Sequence, residues 1–293
     1  MKARFLFPHK WRYVGYLLAI PGFILGFFEH YFQYELSWLQ LTLTHKTLLF
    51  EGLTENYTNE LSLTMLIVGL LFIAFSKLKR EDELTAKIRL DALYWAILIN
   101  GILLSAGTLF DVFLWFSNFH GFWIFSFGWE LIAYNMFVPL VIFVCRFYYL
   151  LYSNKNEFTV KPTRYLSNKP FRFIGKWLSI IFILAIIVSN ISRPKFEFLE
   201  VAGWVLPVSL LLWVYSKEKT EDEFIKAIRL EAMQMAVYVN YGILLICNFI
   251  FYDTAFLSVE YYNTLTIPLI FIGWFQYRLF QLNKPNNLKA TLI

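Results

Sequence analysis

The acidic triplet Glu81-Asp82-Glu83, with Arg89 behind it, stands at the edge of an apolar segment, and it recurs as Glu221-Asp222-Glu223 with Arg229. Carboxylates beside an arginine can hold a metal, move a proton or simply pair charge. The first two activities need more ligands or an activated nucleophile close by. The four histidines, His9, His30, His45 and His120, are scattered, and none has a partner four residues on. There is no His-Glu-x-x-His and no glycine-rich phosphate loop. Cys145 and Cys247 both lie inside apolar segments, which argues against a disulfide scaffold. No catalytic, cofactor-binding or metal-ligating residue is assigned, and no cofactor is expected.

What must position the acidic runs is apolar. Of 293 residues 58% are hydrophobic and only 16% charged, where soluble domains carry about 25% charged residues. Eight apolar segments stand out, at 12–29, 61–76, 90–110, 131–151, 172–190, 200–216, 228–251 and 263–281, the second and sixth being the shortest. Each approaches the length at which a helix crosses a hydrocarbon layer about 30 Å thick. The predicted fold class is all-α, a polytopic transmembrane helical bundle.

Lys and Arg collect in the N-terminal segment, in 77–89, 152–172 and 217–229, and in the C-terminal tail. Loops 111–130 and 252–262 have none, and 30–60 has only Lys46; 191–199, with Arg193 and Lys195, is the exception. The positive-inside rule then predicts that both termini are cytoplasmic. It also accounts for the net charge of +5 without nucleic acid. In the outer loop, Ser37–Thr44 partly alternates polar and apolar residues, as in a short strand or an interfacial segment. Asn56-Tyr57-Thr58 matches a glycosylation sequon of little weight, because such triplets are frequent.

The chain also repeats itself. Residues 76–100 align without gaps to 216–240, with 12 of 25 positions identical. Arg12-Tyr-Val-Gly15 recurs as Arg172-Phe-Ile-Gly175, Asn135 pairs with Asn263, Phe147 with Phe275 and Tyr149 with Tyr277. The expected organisation is two four-helix units, 1–152 and 171–293, joined by a cytoplasmic linker at 153–170. An even number of crossings makes the two repeats parallel.

Pro8-His-Lys-x-Arg-x-x-Gly15, Ile20-Pro-Gly22, and the Ser-Lys-x-Lys-x-Glu-Asp-Glu and Ile-Arg-Leu motifs carry a resemblance. Each unit resembles an uncharacterised family of small bacterial multi-pass membrane proteins with about four helices. The second unit lacks the Ile-Pro-Gly of the first helix. The resemblance implies fold and membrane location, and no activity. The acidic runs also differ from the Glu-Glu-x-x-x-Arg of intramembrane CAAX-type proteases: the spacing is different, and the later histidines are missing.

The third helix of each unit is expected to begin near Glu81 or Glu221, with Thr220 and Glu223 as a capping box and Arg80 in the corresponding cap position. At 100° per residue Asp82, Arg89, Ala92, Ala96 and Asn100 share one stripe, and Asp222, Arg229, Ala232, Ala236 and Asn240 share another. The alanines form a seam for close helix approach, and an asparagine can hydrogen-bond across it. Asp82 and Arg89 are candidates for interhelical ion pairs. Glu83–Lys87, Lys87–Asp91 and Asp222–Lys226 have stabilising spacing.

Two readings follow. The motif is a packing element, or it is a cytoplasmic platform that makes the protein a non-enzymatic regulator, sensor or scaffold. The expected partners are the lipid bilayer and a cytoplasmic protein. The alternative function is a small transporter or channel for an uncharged or lipidic substrate. A polar cavity lined by Asn100 and Asn240 would favour transport; a sealed alanine seam with projecting charged helices would favour the regulator.

Overall fold

The structure, a computed structural model, describes residues 5–42, 54–79, 81–117, 131–153, 163–191, 197–219, 221–251 and 254–282. The expectations for Arg80, Thr220, Arg193 and Lys195 lie outside these residues, as do most of those for loop 111–130 and the linker. The helices are α1 (Trp11–Phe32), α2 (Thr58–Phe75), α3 (Glu83–Phe116), α4 (Val138–Ser153), α5 (Phe173–Ile191), α6 (Glu197–Val214), α7 (Glu223–Cys247) and α8 (Thr254–Leu282). A further helical turn covers 131–134.

Among the described residues, six helices are long and apolar enough to cross a membrane: Trp11–Phe32, Thr58–Phe75, Glu83–Leu114, Asn168–Ser189, Glu223–Cys247 and Ala255–Leu282. Val138–Ser153 and Val201–Val214 are apolar but shorter. The surfaces agree with a bilayer as solvent. Leu17 is 73% exposed, Leu184 56% and Ile181 54%, on helices whose other faces pack inward. Water does not tolerate contiguous apolar faces of this kind on a monomer. The protein is a helical, multi-pass membrane protein.

By contact the chain forms two compact units. The first comprises 5–81 with 248–250, and the second comprises 82–247 with the described residues from 251 onward. The boundary between these units falls at 81/82, and within the second unit α3 packs on both α4 and α6.

In the first unit α1 lies against α2. A Cβ on Gly15 would sit 2.8 Å from the Gly69 carbonyl oxygen, so only glycine lets the two backbones meet there. The extended Phe7 pairs in parallel with Ser76 beyond α2: Phe7 N–H donates to the Phe75 carbonyl and Lys77 N–H to the Phe7 carbonyl, both at 2.9 Å. Ser37–Leu39 forms a 3₁₀ turn, and β1 (Gln40–Thr42) pairs antiparallel with β2 (Thr54–Asn56). The Asn56 amide donates to Glu35 and to the Leu36 carbonyl, while its Oδ1 accepts from the Thr58 N–H and hydroxyl. The sequon asparagine thus braces the start of α2.

In the second unit α5 packs on α6, α7 on α8, and α3 on α4 and α6. At Gly175 a Cβ would come within 2.6 Å of the Trp213 nitrogen on α6. Leu166 pairs in parallel with Ser216 by the same two bonds that Phe7 makes: Leu166 N–H to Tyr215 carbonyl, 2.8 Å, and Lys217 N–H to Leu166 carbonyl, 2.9 Å.

Candidate functional site

The repeated motif builds one buried polar site, seen most fully around Arg229. Helix α7 begins at Glu223, so Asp222 is its cap, and its Oδ1 accepts the Ile225 N–H at 2.8 Å. Asp82 does the same for α3, accepting the Thr85 N–H at 2.8 Å and the Thr85 hydroxyl at 2.7 Å. These bonds hold the Asp82 carboxyl below the usual aspartate range, the backbone bond from Thr85 contributing most. Helix α7 starts two residues after the expected Glu221. Glu81 and Glu221 fold back onto the loop ahead of the cap, accepting the N–H of Leu78 and Glu218, each at 3.0 Å.

Arg229 lies two turns into α7 and is 1% exposed. Its side chain runs back toward the helix start, as helical side chains do. Nε donates to Glu221 Oε1 at 2.8 Å and Nη2 to Oε2 at 3.2 Å. Nη1 donates to the Val214 carbonyl at 3.1 Å and Nη2 to the Ser216 carbonyl at 2.8 Å. Val214 ends α6, where carbonyls have no helical donor and a cation is favoured by the helix dipole. The guanidinium also lies over the rings of Tyr165 at 4.5 Å and Phe275 at 4.8 Å. One side chain therefore ties α6, α7, α8 and the Tyr165–Leu166 segment together. A buried charge is tolerable only when paired and hydrogen-bonded in this way.

Arg89 occupies the matching position and is fully buried, its guanidinium 4.7 Å from the ring of Phe147. Phe147 and Phe275 are the positions matched in sequence. The expected interhelical pairing through Asp82 and Arg89, repeated by Asp222 and Arg229, is corrected in the second stretch. Arg229 takes Glu221, and Asp222 is committed to the helix cap.

Two residues further along each helix, Asp91 meets Arg146 of α4 (Nε to Oδ1, 2.7 Å), and Glu231 meets Arg278 of α8 (Nε to Oε1, 3.2 Å). Asp91 and Glu231 are matched positions, but Arg146 and Arg278 come from points one turn apart along the fourth helices. Arg146 also lies 4.9 Å from the ring of Trp95.

Ala92, Ala96, Ala232 and Ala236 are all buried, as are Asn100 and Asn240. The Asn100 amide donates to Asn135 Oδ1 at 2.6 Å. Asn240 Oδ1 accepts the Thr266 hydroxyl. Beside Asn100 lies a cavity of about 30 Å³ that Asn240 does not line.

A tyrosine cluster escaped sequence reasoning. The Tyr215 hydroxyl donates to the Tyr94 carbonyl at 2.8 Å, and the Tyr94 hydroxyl to the Arg164 carbonyl. The Tyr94 ring meets those of Tyr165 and Tyr215 edge-on, with centroids 5.2 and 4.9 Å away. Tyr94 aligns with Gln234, so the repeat carried no signal for it. Burial pushes the Tyr165 hydroxyl up and the Tyr215 hydroxyl well up from the usual phenol range, which leaves both neutral and unsuited to act as bases. Among the described residues no group of three or more His, Cys, Asp or Glu could hold a metal.

No protein-family model matches this chain, and neither curated proteins nor solved structures give a match.

Proposed function

We propose that the protein is a non-enzymatic regulator, sensor or scaffold of a bacterial cytoplasmic membrane, with both termini cytoplasmic. In this reading residues 1–152 and 171–293 are parallel four-helix repeats, kin to the small multi-pass family they resemble. The matched Phe7/Ser76 and Leu166/Ser216 bonds support the repeat. One observation carries the functional reading. The alanine seam is sealed, while Asp82, Glu83 and Lys87 on α3 and Asp222 and Glu223 on α7 remain exposed. Arg229 holds the start of α7 through Glu221, and the exposed acids face a cytoplasmic partner.

Two experiments test this. Reporter fusions at residues 45, 120 and 257 should read as external by the charge bias, and phosphatase activity from a C-terminal fusion would overturn the topology. Photo-crosslinkers at the exposed Lys87 and Phe224 in native membranes should give a discrete protein adduct, which Glu83→Gln with Glu223→Gln abolishes. Only lipid adducts at both sites would remove the platform.

A second reading, binding or transport of a lipidic molecule, draws on an apolar groove of about 340 Å³ between α7 and α8, lined in part by Cys247, Tyr262, Asn263 and Thr266. Co-purification of one lipid species, lost on Leu244→Trp, would favour it over the platform.

A further inference from the structure

The cavity of about 30 Å³ in the second unit is lined by Asn100, Asn135 and Asn263 and by Pro139, Pro207 and Pro268, among others. Its polar groups come from matched positions, yet they are satisfied differently. Asn100 and Asn135 bond to each other. Asn240 and Asn263 make no such bond, and the amide nitrogens of both are buried with no hydrogen-bond partner among the described residues. Asn263 is 6% exposed.

One proline adds an acceptor. A proline inside a helix has no N–H, so the carbonyl four residues earlier loses its helical donor. Pro268 lies inside α8, and that carbonyl belongs to Thr264; Pro139 sits in the first turn of α4, where no helical bond is lost. Asn135, just before α4, and Thr264 both line the cavity. Residues with an unpaired amide and a carbonyl without its helical donor therefore line one space within apolar helices. In such surroundings an unpaired polar group is costly, and ordered water is one of the means by which proline-freed groups are re-satisfied. A site needs roughly 10–15 Å³ of this kind of volume to hold one water. No Asp, Glu, Lys or Arg lines the cavity, so a cation would meet an amide N–H and no counter-charge.

We propose that this cavity binds one ordered water, which accepts from the Asn263 amide and donates to the carbonyls of Asn135 and Thr264. The water joins the segment preceding α4 to α8 beside the break in the α8 ladder. This inference is independent of the cytoplasmic platform, and either can fail alone.

The test uses the full chain in lipid nanodiscs, at a resolution where ordered waters are seen. Density within about 3 Å of the Asn263 amide, facing the Asn135 or Thr264 carbonyl, is the expected result. An empty cavity in a map that shows other enclosed waters overturns the proposal. Melting gives a second test. Asn263→Leu displaces the water and strands two carbonyls, so its melting temperature should fall by several degrees, and an unchanged melt contradicts the proposal. The parent should melt equally in sodium, potassium and choline salts. Saturable stabilisation by a single alkali cation would show an ion site and overturn the water.

Discussion

Arg229 and Asn263 are both almost fully buried in the second unit, yet their surroundings treat them differently. The Arg229 guanidinium reaches a carboxylate, two helix-end carbonyls and two aromatic rings. The Asn263 amide nitrogen reaches no partner among the described residues. A full charge left unpaired is far more costly than an unpaired amide, so the arginine site is saturated while the asparagine site leaves room. The charged end of α7 is tied down on every side, and the stretch of α8 around Asn263 lines a space shared with α3, α4 and α6.

Removing the saturated end should cost most. Arg229→Met leaves Glu221 buried without its cation and should destabilise the folded chain by about 3–5 kcal/mol, read from thermal unfolding in detergent. A cost no larger than that of an exposed charge would mean the guanidinium is hydrated in the native protein.

The alanine seam comes next. Ala96→Leu or Ala236→Leu forces a larger side chain into a buried contact and should cost roughly 1–3 kcal/mol. Variants that melt like the parent would put these residues against lipid.

The caps should matter less. Asp222→Ala should cost about 0.5–2 kcal/mol and Asp222→Asn far less, because asparagine caps nearly as well. Acid should reproduce the Asp82→Ala loss. The Asp82 carboxyl is held below its ordinary value by the Thr85 bonds, so its contribution is complete above an unfolded-state pKa of about 3.9. It disappears as pH falls through the lowered folded value. The stability gap between the parent and Asp82→Ala should therefore close only in strong acid. A gap that closes near neutral pH would contradict the cap.

The smallest effect belongs to the exposed acids. Glu83→Gln with Glu223→Gln should leave stability nearly unchanged while changing partner crosslinking. A large loss of stability would make these residues structural and leave no free acidic surface in the first turns.

How far the sequence foretold this follows from what each signal measures. Hydropathy located the apolar segments because the bilayer imposes a minimum length on them, and the observed helices cover them. The helical period put the alanines on one face, and they are buried. The burial of Arg89 and Arg229 was not legible. An arginine a turn or two from a charged loop reads as solvated, and the groups that pair with Arg229 are distant in sequence or are backbone carbonyls. The match of Phe147 with Phe275 was a trace of the arginine sites, since both rings lie under a guanidinium. The equally matched Tyr149 and Tyr277 face outward, so identity alone did not separate the two cases. Asp222 and Glu221 are adjacent acids, and composition alone could not say which would cap the helix and which would take the arginine.

The central claim is that the repeated acidic-and-arginine motif is an internal clamp whose Glu221–Arg229 pair locks α6, α7 and α8. A double-mutant cycle on Glu221→Gln and Arg229→Met, read by unfolding in nanodiscs, tests it most directly. The account predicts that the double variant loses clearly less stability than the two single losses combined, with a coupling of about 0.5–3 kcal/mol. Strictly additive losses would show that the two side chains do not act on each other in the native protein, and the clamp would be refuted.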